Sequence, residues 1–320
     1  MQEKIFYSLK YIKMDWKKEF WQRIESSPAA EKYIINLGFS SDHDDKIFIA
    51  DKKIHDTWEF LAREDFIGAL ENINHVLELN PDNAIAYNQR GMVFSKFRDF
   101  AQALENYNKC LQLAPRYALA YYNRGNAYAE IRNFIMSVAD YSKCIQLAPY
   151  YAPAYYNRAN SYVSLQNYFQ AIEDYTKNIQ LRPNNADAYN NRGNIYSELK
   201  KFEEAVADFT RAIQLNPNFV SAYNNRALAY AHINNFSAAM ADYNSALMIE
   251  PDNPVIYSNR ALLYTLTDDF ELAIAELNHA LELAPNFITA YNLRGYCYQS
   301  IGEDEKAQAD YEQADKLRLG

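Results

Sequence analysis

The sequence predicts an all-α solenoid of stacked two-helix repeats, and three observations carry that expectation. Seven prolines (Pro81, Pro115, Pro149, Pro183, Pro217, Pro251 and Pro285) stand 34 residues apart without a slip, a period that marks stacked supersecondary units. Between them the same side-chain types recur in the same columns, at helical rather than strand spacing. No segment alternates with period two, so no sheet is expected.

We number each unit so that Ala84 is position 1 and the proline position 32. The first helix of a unit follows from positions 4, 8 and 11, which share one side of a 3.6-residue period. Position 4 is always tyrosine (Tyr87 through Tyr291), position 8 is Gly or Ala, and position 11 is Phe94 or a tyrosine. A short turn is expected near positions 15 to 17. The second helix follows from positions 20, 24 and 27, where position 20 is alanine in every unit except for Ser137. Small residues let the two helices approach, and aromatic rings fill the gaps beside them. The proline, which lacks an N–H and clashes with the preceding turn, ends the second helix and sets up the next unit.

The pattern resembles the tetratricopeptide repeat, and YNNRGNIYSELKKFEEAVADFTRAIQLNP, from Tyr189 to Pro217, is close to that family's consensus. The resemblance covers seven units over 84–320. It implies a right-handed superhelical solenoid with the first helices lining its inner face. A degenerate first repeat is placed at 50–83, keeping Phe60, Phe66, Ala69 and Pro81 but carrying Lys53 and Thr57 in place of the tyrosine and the small residue. In the last unit Gln308 and Asp315 replace residues that are apolar elsewhere, as a polar-capped terminal repeat requires.

Residues 1–49 are different in kind and are read as an N-terminal helical capping or docking segment. Ile5, Leu9, Ile12, Trp16, Phe20 and Ile24 recur at helical spacing, Ser27-Pro28 marks a second helix start, and Asp42 to Asp45 reads as a linker. Capping of the first repeat is the favoured role. Contact with a membrane surface through residues 5–24, where Lys10, Lys13, Lys17 and Lys18 flank Trp16, is the less favoured one. A docking element, or a segment folding back into the groove, is a third.

Composition narrows the function. The formal charge is −9, a poor match for a phosphate backbone, so no nucleic acid partner is expected. Cys110, Cys144 and Cys297 read as small core residues in a reducing compartment, with Cys110 and Cys144 on neighbouring helices beyond disulfide reach. No secretory signal or membrane-length span is visible, so a cytoplasmic location is expected. The five histidines show no metal-ligand spacing, and no phosphate loop or nucleophile elbow is present. We therefore expect no enzyme, no cofactor and no metal.

Two polar columns remain. Position 7 is arginine in all seven units, and position 23 answers with a carboxylate in six of them, Asn106 standing in the other. Because position 7 faces the partner helix, an unpaired arginine there would be costly. A structural ladder is therefore expected: Arg124 with Asp140, Arg158 with Asp174, Arg192 with Asp208, and Arg226 with Asp242, within a repeat or between neighbours. Asn178 sits in a small core slot, where a buried amide needs a partner.

The second column is rich in asparagine at positions facing away from the core: Asn88, Asn123, Asn126, Asn157, Asn160, Asn190, Asn191, Asn194, Asn224 and Asn225. An amide carries both a donor and an acceptor, so a row of them suits the backbone of an extended peptide. Tyr122 and Tyr156 interrupt the row as candidate clamps for apolar ligand side chains. The arrangement resembles the asparagine-lined repeat domain of O-linked N-acetylglucosamine transferases, without a catalytic domain. The other reading of the row is polar filler, or packing between repeats. The family's clamp for acidic chaperone tails needs lysines that are missing here, and only the neutral Asn126 and Asn157 match it. The function expected is a protein–protein interaction module or scaffold that binds an extended, neutral to basic peptide in an asparagine-lined concave groove. The alternative is an assembly scaffold or membrane-surface adaptor working through the N-terminal segment, with the repeats as spacer or dimer platform.

Overall fold

The computed structural model describes Lys53 and residues 56–319; the segment 1–49 and its expected roles lie outside the described residues. Among these residues sixteen helices and no strand are found. Contacts group into two compact units, Met1–Leu181 and Arg182–Gly320, and the division falls between repeats.

In the first unit α1 (56–62) and α2 (Phe66–Leu79) form the degenerate repeat. Three full repeats follow: α3 (Ala84–Lys96) with α4 (Phe100–Leu113), α5 (Ala118–Glu130) with α6 (Phe134–Leu147), and α7 (Ala152–Ser164) with α8 (Tyr168–Leu181). The second unit holds α9 (Ala186–Glu198) with α10 (Phe202–Leu215), α11 (Val220–His232) with α12 (Phe236–Ile249), α13 (Pro254–Thr265) with α14 (Phe270–Leu283), and α15 (Ile288–Ser300) with α16 (Asp304–Leu319). Within each unit a helix packs most extensively on its partner, next on the first helix of the following repeat, and the first helices of successive repeats also touch.

The turn inside each repeat is a left-handed cap. Position 15 has positive φ in every unit: Arg98 (60°), Arg132 (60°), Gln166 (59°), Lys200 (58°), Asn234 (59°), Asp268 (57°) and Gly302 (79°). The next N–H reaches back five residues, as in Asp99 to the Phe94 carbonyl at 2.9 Å and Lys201 to that of Tyr196 at 2.8 Å. This is a Schellman closure, which satisfies a carbonyl at the helix end. Asp65, Asp99, Asn133 and Asn235 then cap the second helix by accepting from the N–H three residues on.

The core is the alanine column against aromatic rings. Ala103, Ala171, Ala205, Ala239 and Ala273 are fully buried, as are Tyr107, Tyr141, Tyr175, Phe209 and Tyr243 at position 24 to within 1%. Glycine at position 8 makes room for the ring opposite: a Cβ on Gly91 would lie 2.6 Å from Tyr107, and one on Gly193 2.8 Å from Phe209. Ser137 in the alanine column bonds Ser161 on the next repeat at 2.9 Å. Asn178 is satisfied by the carbonyl of Ala152, 2.8 Å from its Nδ2. In the degenerate repeat the Asn72 amide donates to Thr57 Oγ1 at 2.9 Å and to the Lys53 carbonyl at 2.6 Å, where six of the other repeats place an ion pair. All three cysteines are free and buried. Gln308 and Asp315 on α16 are exposed.

Candidate functional site

The two polar columns occupy different sides of the first helices. Position 7 turns toward the second helices, where each arginine meets a carboxylate of its own repeat in a two-bond clasp. Arg124 donates from Nε and Nη2 to Asp140 at 2.7 Å each, Arg158 to Asp174 at 2.7 Å each, and Arg192 to Asp208 at 2.7 Å each. Arg226 holds Asp242 at 2.8 and 2.7 Å. Arg260 with Glu276 and Arg294 with Asp310 repeat the geometry.

The remaining terminal nitrogen, Nη1, reaches the second helix of the preceding repeat. It meets Asn108 at 2.6 Å from Arg124, Ser142 at 2.8 Å from Arg158, Thr210 at 2.9 Å from Arg226 and Asn244 at 2.7 Å from Arg260. Each of these four arginines thus ties three helices of two repeats. Tyrosines at positions 4 and 11 close over the guanidinium; the Tyr155 and Tyr162 rings each lie 5.8 Å from that of Arg158. The arginine side chains are 15–19% exposed and the aspartates 5–8%. The Asp310 hydrogen bonds hold the Arg294 guanidinium above its ordinary pKa. Burial pushes Asp174 up while Arg158 pulls it down, the opposition expected when two ions leave water together.

Arg90 is the exception. Its Nε donates to the neutral Asn106 Oδ1 at 2.6 Å, and the Asn106 amide is itself used on the Gln102 carbonyl at 2.8 Å.

The asparagine column lies on the other side, and here the structure changes the expectation. Asn88 is fully buried and Asn190 is 6% exposed, so these two do not line an open groove. Their carbonyls serve the next repeat: Asn123 Nδ2 donates to Asn88 Oδ1 at 3.0 Å, and Asn225 Nδ2 to Asn190 Oδ1 at 3.4 Å. The reason is register. Positions 5 and 6 of successive first helices stand side by side where those helices touch, so an amide pair fills the seam.

The other members are half-buried and ordered by the same network. Asn157 Nδ2 donates to Tyr122 Oη at 3.0 Å and to Asn126 Oδ1 at 2.8 Å, using both its hydrogens. Asn126 Oδ1 also accepts from Tyr141 Oη at 2.7 Å, and Asn160 Oδ1 accepts from Tyr175 Oη. With their oxygens engaged, Asn126 and Asn160 keep NH2 groups as donors, and Asn157 keeps Oδ1 as an acceptor. The rings beside them are set edge to face: Tyr122 on Tyr151 at 5.1 Å and Tyr156 on Tyr175 at 5.7 Å. In the second unit Asn225 Nδ2 donates to Asn194 Oδ1 at 2.8 Å, Asn224 Nδ2 to Asn225 Oδ1 at 3.3 Å, Asn190 Nδ2 to Asn191 Oδ1 at 3.3 Å, and Asn259 Nδ2 to Asn224 Oδ1 at 2.8 Å. Asn194 is exposed.

Family models match the chain across these repeats. Models described as tetratricopeptide repeat or TPR repeat align to 84–117, 118–151, 159–200, 186–219, 220–253, 255–287 and 288–319. The chain belongs to the tetratricopeptide repeat family. No curated protein matches it in sequence. Among solved structures, the C-terminal part of a TPR repeat-containing protein from Cytophaga hutchinsonii superposes with a TM-score of 0.62 at 17% identity, covering 75% of this chain and 98% of that one. A tetratricopeptide repeat protein from Parabacteroides merdae gives 0.54 at 20% identity, covering 78% and 98%. YrrB, described as a TPR protein with an unusual peptide-binding site, gives 0.52 at 23% identity, covering 59% and 97%. At these identities the likeness shows the fold.

Tetratricopeptide repeats are generally non-catalytic modules that bind peptide or protein partners, and the repeats here support a protein–protein interaction scaffold. Among the described residues no group of three His, Cys, Asp or Glu is placed to hold a metal ion. No helix among them is long and apolar enough to cross a membrane.

Proposed function

We propose that this tetratricopeptide protein is a non-catalytic module that binds an extended peptide of a partner protein along the first helices, with Asn126, Asn157 and Asn160 as backbone contacts. The observation that carries this is the fixed polarity of the amides. Internal bonds consume the oxygens of Asn126 and Asn160 and the hydrogens of Asn157. What is left alternates donor, acceptor, donor on half-buried side chains already held in place, so little entropy is lost on binding. A peptide backbone offers the complementary alternation every residue. Tyr122 and Tyr156 supply apolar surface at low entropic cost beside these amides. Asn123, Asn191, Asn194, Asn224 and Asn225 serve the same face in their own units, while Asn88 and Asn190 only support it. Peptide binding is also what is said of YrrB, which is in line with this reading.

A random peptide library selected on the intact chain tests the proposal. Selected peptides should bind the Asn126→Ala/Asn160→Ala variant at least tenfold more weakly, with its helicity intact. Equal binding to both proteins removes the amides from the site.

A further inference from the structure

The charge of the chain is not spread over its repeats. Residues 182–320 hold nineteen acidic and eleven basic side chains, a net −8 of the total −9. In α9 to α15 the positions that face away from the core on the first helices contain no lysine or arginine at all.

The same face changes character along this unit. Position 9, which is Asn194 on α9, becomes Leu228, Leu262 and Tyr296 on α11, α13 and α15, successive helices that touch. Val255 and Leu262 on α13 and Leu266 at its C-cap are 48%, 41% and 54% exposed, and Tyr296 on α15 is 50% exposed. Spacings of seven and four residues put the first three side chains in one stripe. Isolated exposed apolar residues need no explanation, but four that share one face do.

Both ends of the stripe are acidic. Exposed Glu250 and Asp252 precede α13, and exposed Asp268 and Asp269 follow it. At the first end two shallow recesses adjoin at Pro254. One, of about 380 Å³, is walled by Val255, Ala284, Pro285 and Phe287; the other, of about 400 Å³, is walled by Glu250, Pro251, Asp252 and Asn253. An apolar slot thus stands beside a slot with two carboxylates.

We propose that this face of α13 and α15 is a docking surface for a basic amphipathic segment of a partner protein, with aliphatic or aromatic side chains along the stripe and Lys or Arg at its acidic ends. The surface does not depend on the Asn126 face of the first unit. Apolar contact supplies the affinity, and the net negative charge of the unit steers basic ligands in and turns acidic ones away. Binding should therefore weaken as salt rises.

The test uses the full chain and a synthetic peptide of alternating Leu–Lys turns, with a Leu–Glu peptide and an apolar-free Lys–Ser peptide as controls. The Leu–Lys peptide is expected to bind at micromolar concentration, and neither control to bind. Leu262→Asp/Leu266→Asp should weaken it at least tenfold, and Glu250→Gln/Asp252→Asn about threefold with a flatter salt dependence. Both variants should keep the helicity of the parent, with a small fall in melting temperature for the leucine pair, which is half-buried. Equal binding of the Lys–Ser peptide, or no loss in the leucine variant, overturns the proposal. A photo-crosslinker at position 262 in the purified protein provides the last arm. An adduct to residues 5–24, or to any part of a second copy, would show that the chain covers the stripe itself and would equally overturn it.

Discussion

Arg226 clasps Asp242 through two hydrogen bonds of 2.8 and 2.7 Å, and its third arm crosses to Thr210 of the preceding repeat at 2.9 Å. One side chain thereby joins a repeat internally and to its neighbour. In a repeat protein, stability is a sum of terms within and between units, so this residue enters both. Removing the acid leaves a mostly buried guanidinium without its counter-charge. Asp242→Ala is expected to lower stability by about 3–5 kcal/mol. Asp242→Asn should cost less, because Asn106 shows that an amide still accepts from the arginine. Chemical denaturation followed by circular dichroism checks both; an unchanged midpoint for Asp242→Ala would mean the clasp contributes nothing.

The first full repeat supplies the reverse experiment. Arg90 meets Asn106 where the other full repeats place a carboxylate, and its Nε reaches that residue at 2.6 Å as the Nε of Arg124 reaches Asp140 at 2.7 Å. Hydrogen bonds to charged partners contribute about 1.5–3 kcal/mol against about 0.5–1.5 for neutral ones. Asn106→Asp forfeits the bond from the Asn106 amide to the Gln102 carbonyl but gains a two-bond ionic clasp. The net expectation is a gain of about 1 kcal/mol. A lower melting temperature for Asn106→Asp would show that the Gln102 bond outweighs the charge.

How much of this was legible in the sequence depends on periodicity. The helices, their pairing and the small-residue seam follow from columns that repeat with period 34. The inter-repeat arms of Arg90, Arg124, Arg158, Arg226, Arg260 and Arg294 were missed, although their acceptors form a column too: Asn74, Asn108, Ser142, Thr210, Asn244 and Asn278 at position 25 are all short hydrogen-bonding residues. Helical spacing says which side a residue faces, but not which neighbour it meets across a seam. That also explains Asn88 and Asn190, which share a wheel position with residues of the proposed peptide-binding face yet are covered by the adjacent repeat. The apolar stripe of Val255, Leu262 and Leu266 stands in columns whose residue type changes from repeat to repeat, so the period of 34 does not mark it.

The cysteines make the protein's stability sensitive to alkali. Burial pushes Cys110 and Cys144 up to about 12 and Cys297 up to about 11, from an ordinary value of 9.0. In the unfolded chain these thiols ionise near 9, whereas the folded chain keeps them protonated. The stability they contribute is therefore fully present below pH 9 and is lost as pH climbs through 11 to 12. Denaturation midpoints should be flat in these residues' contribution up to pH 9 and fall above it. Cys110→Ala/Cys144→Ala should reduce that slope by up to two protons, since alanine already fills the same position at Ala212, Ala246 and Ala280. At pH 8 a thiol reagent should label none of the three until the protein unfolds; rapid labelling of the native protein would contradict their burial.

The left-handed caps hold a removable cost. Six of the seven full repeats place a side chain where only Gly302 avoids the penalty of positive φ, a penalty of about 1–2 kcal/mol for an ordinary L-residue and less for asparagine. Lys200 and Asn234 occupy equivalent turns in the second unit at 58° and 59°, and both are exposed. Glycine at either position also loosens the unfolded chain, which offsets part of the gain. Lys200→Gly should therefore stabilise by up to about 1 kcal/mol, and Asn234→Gly by clearly less. Parallel melting curves of the two variants decide it. If both shift the transition equally, side-chain strain at position 15 is not the controlling quantity, and the entropy of the unfolded chain sets the sign in both turns.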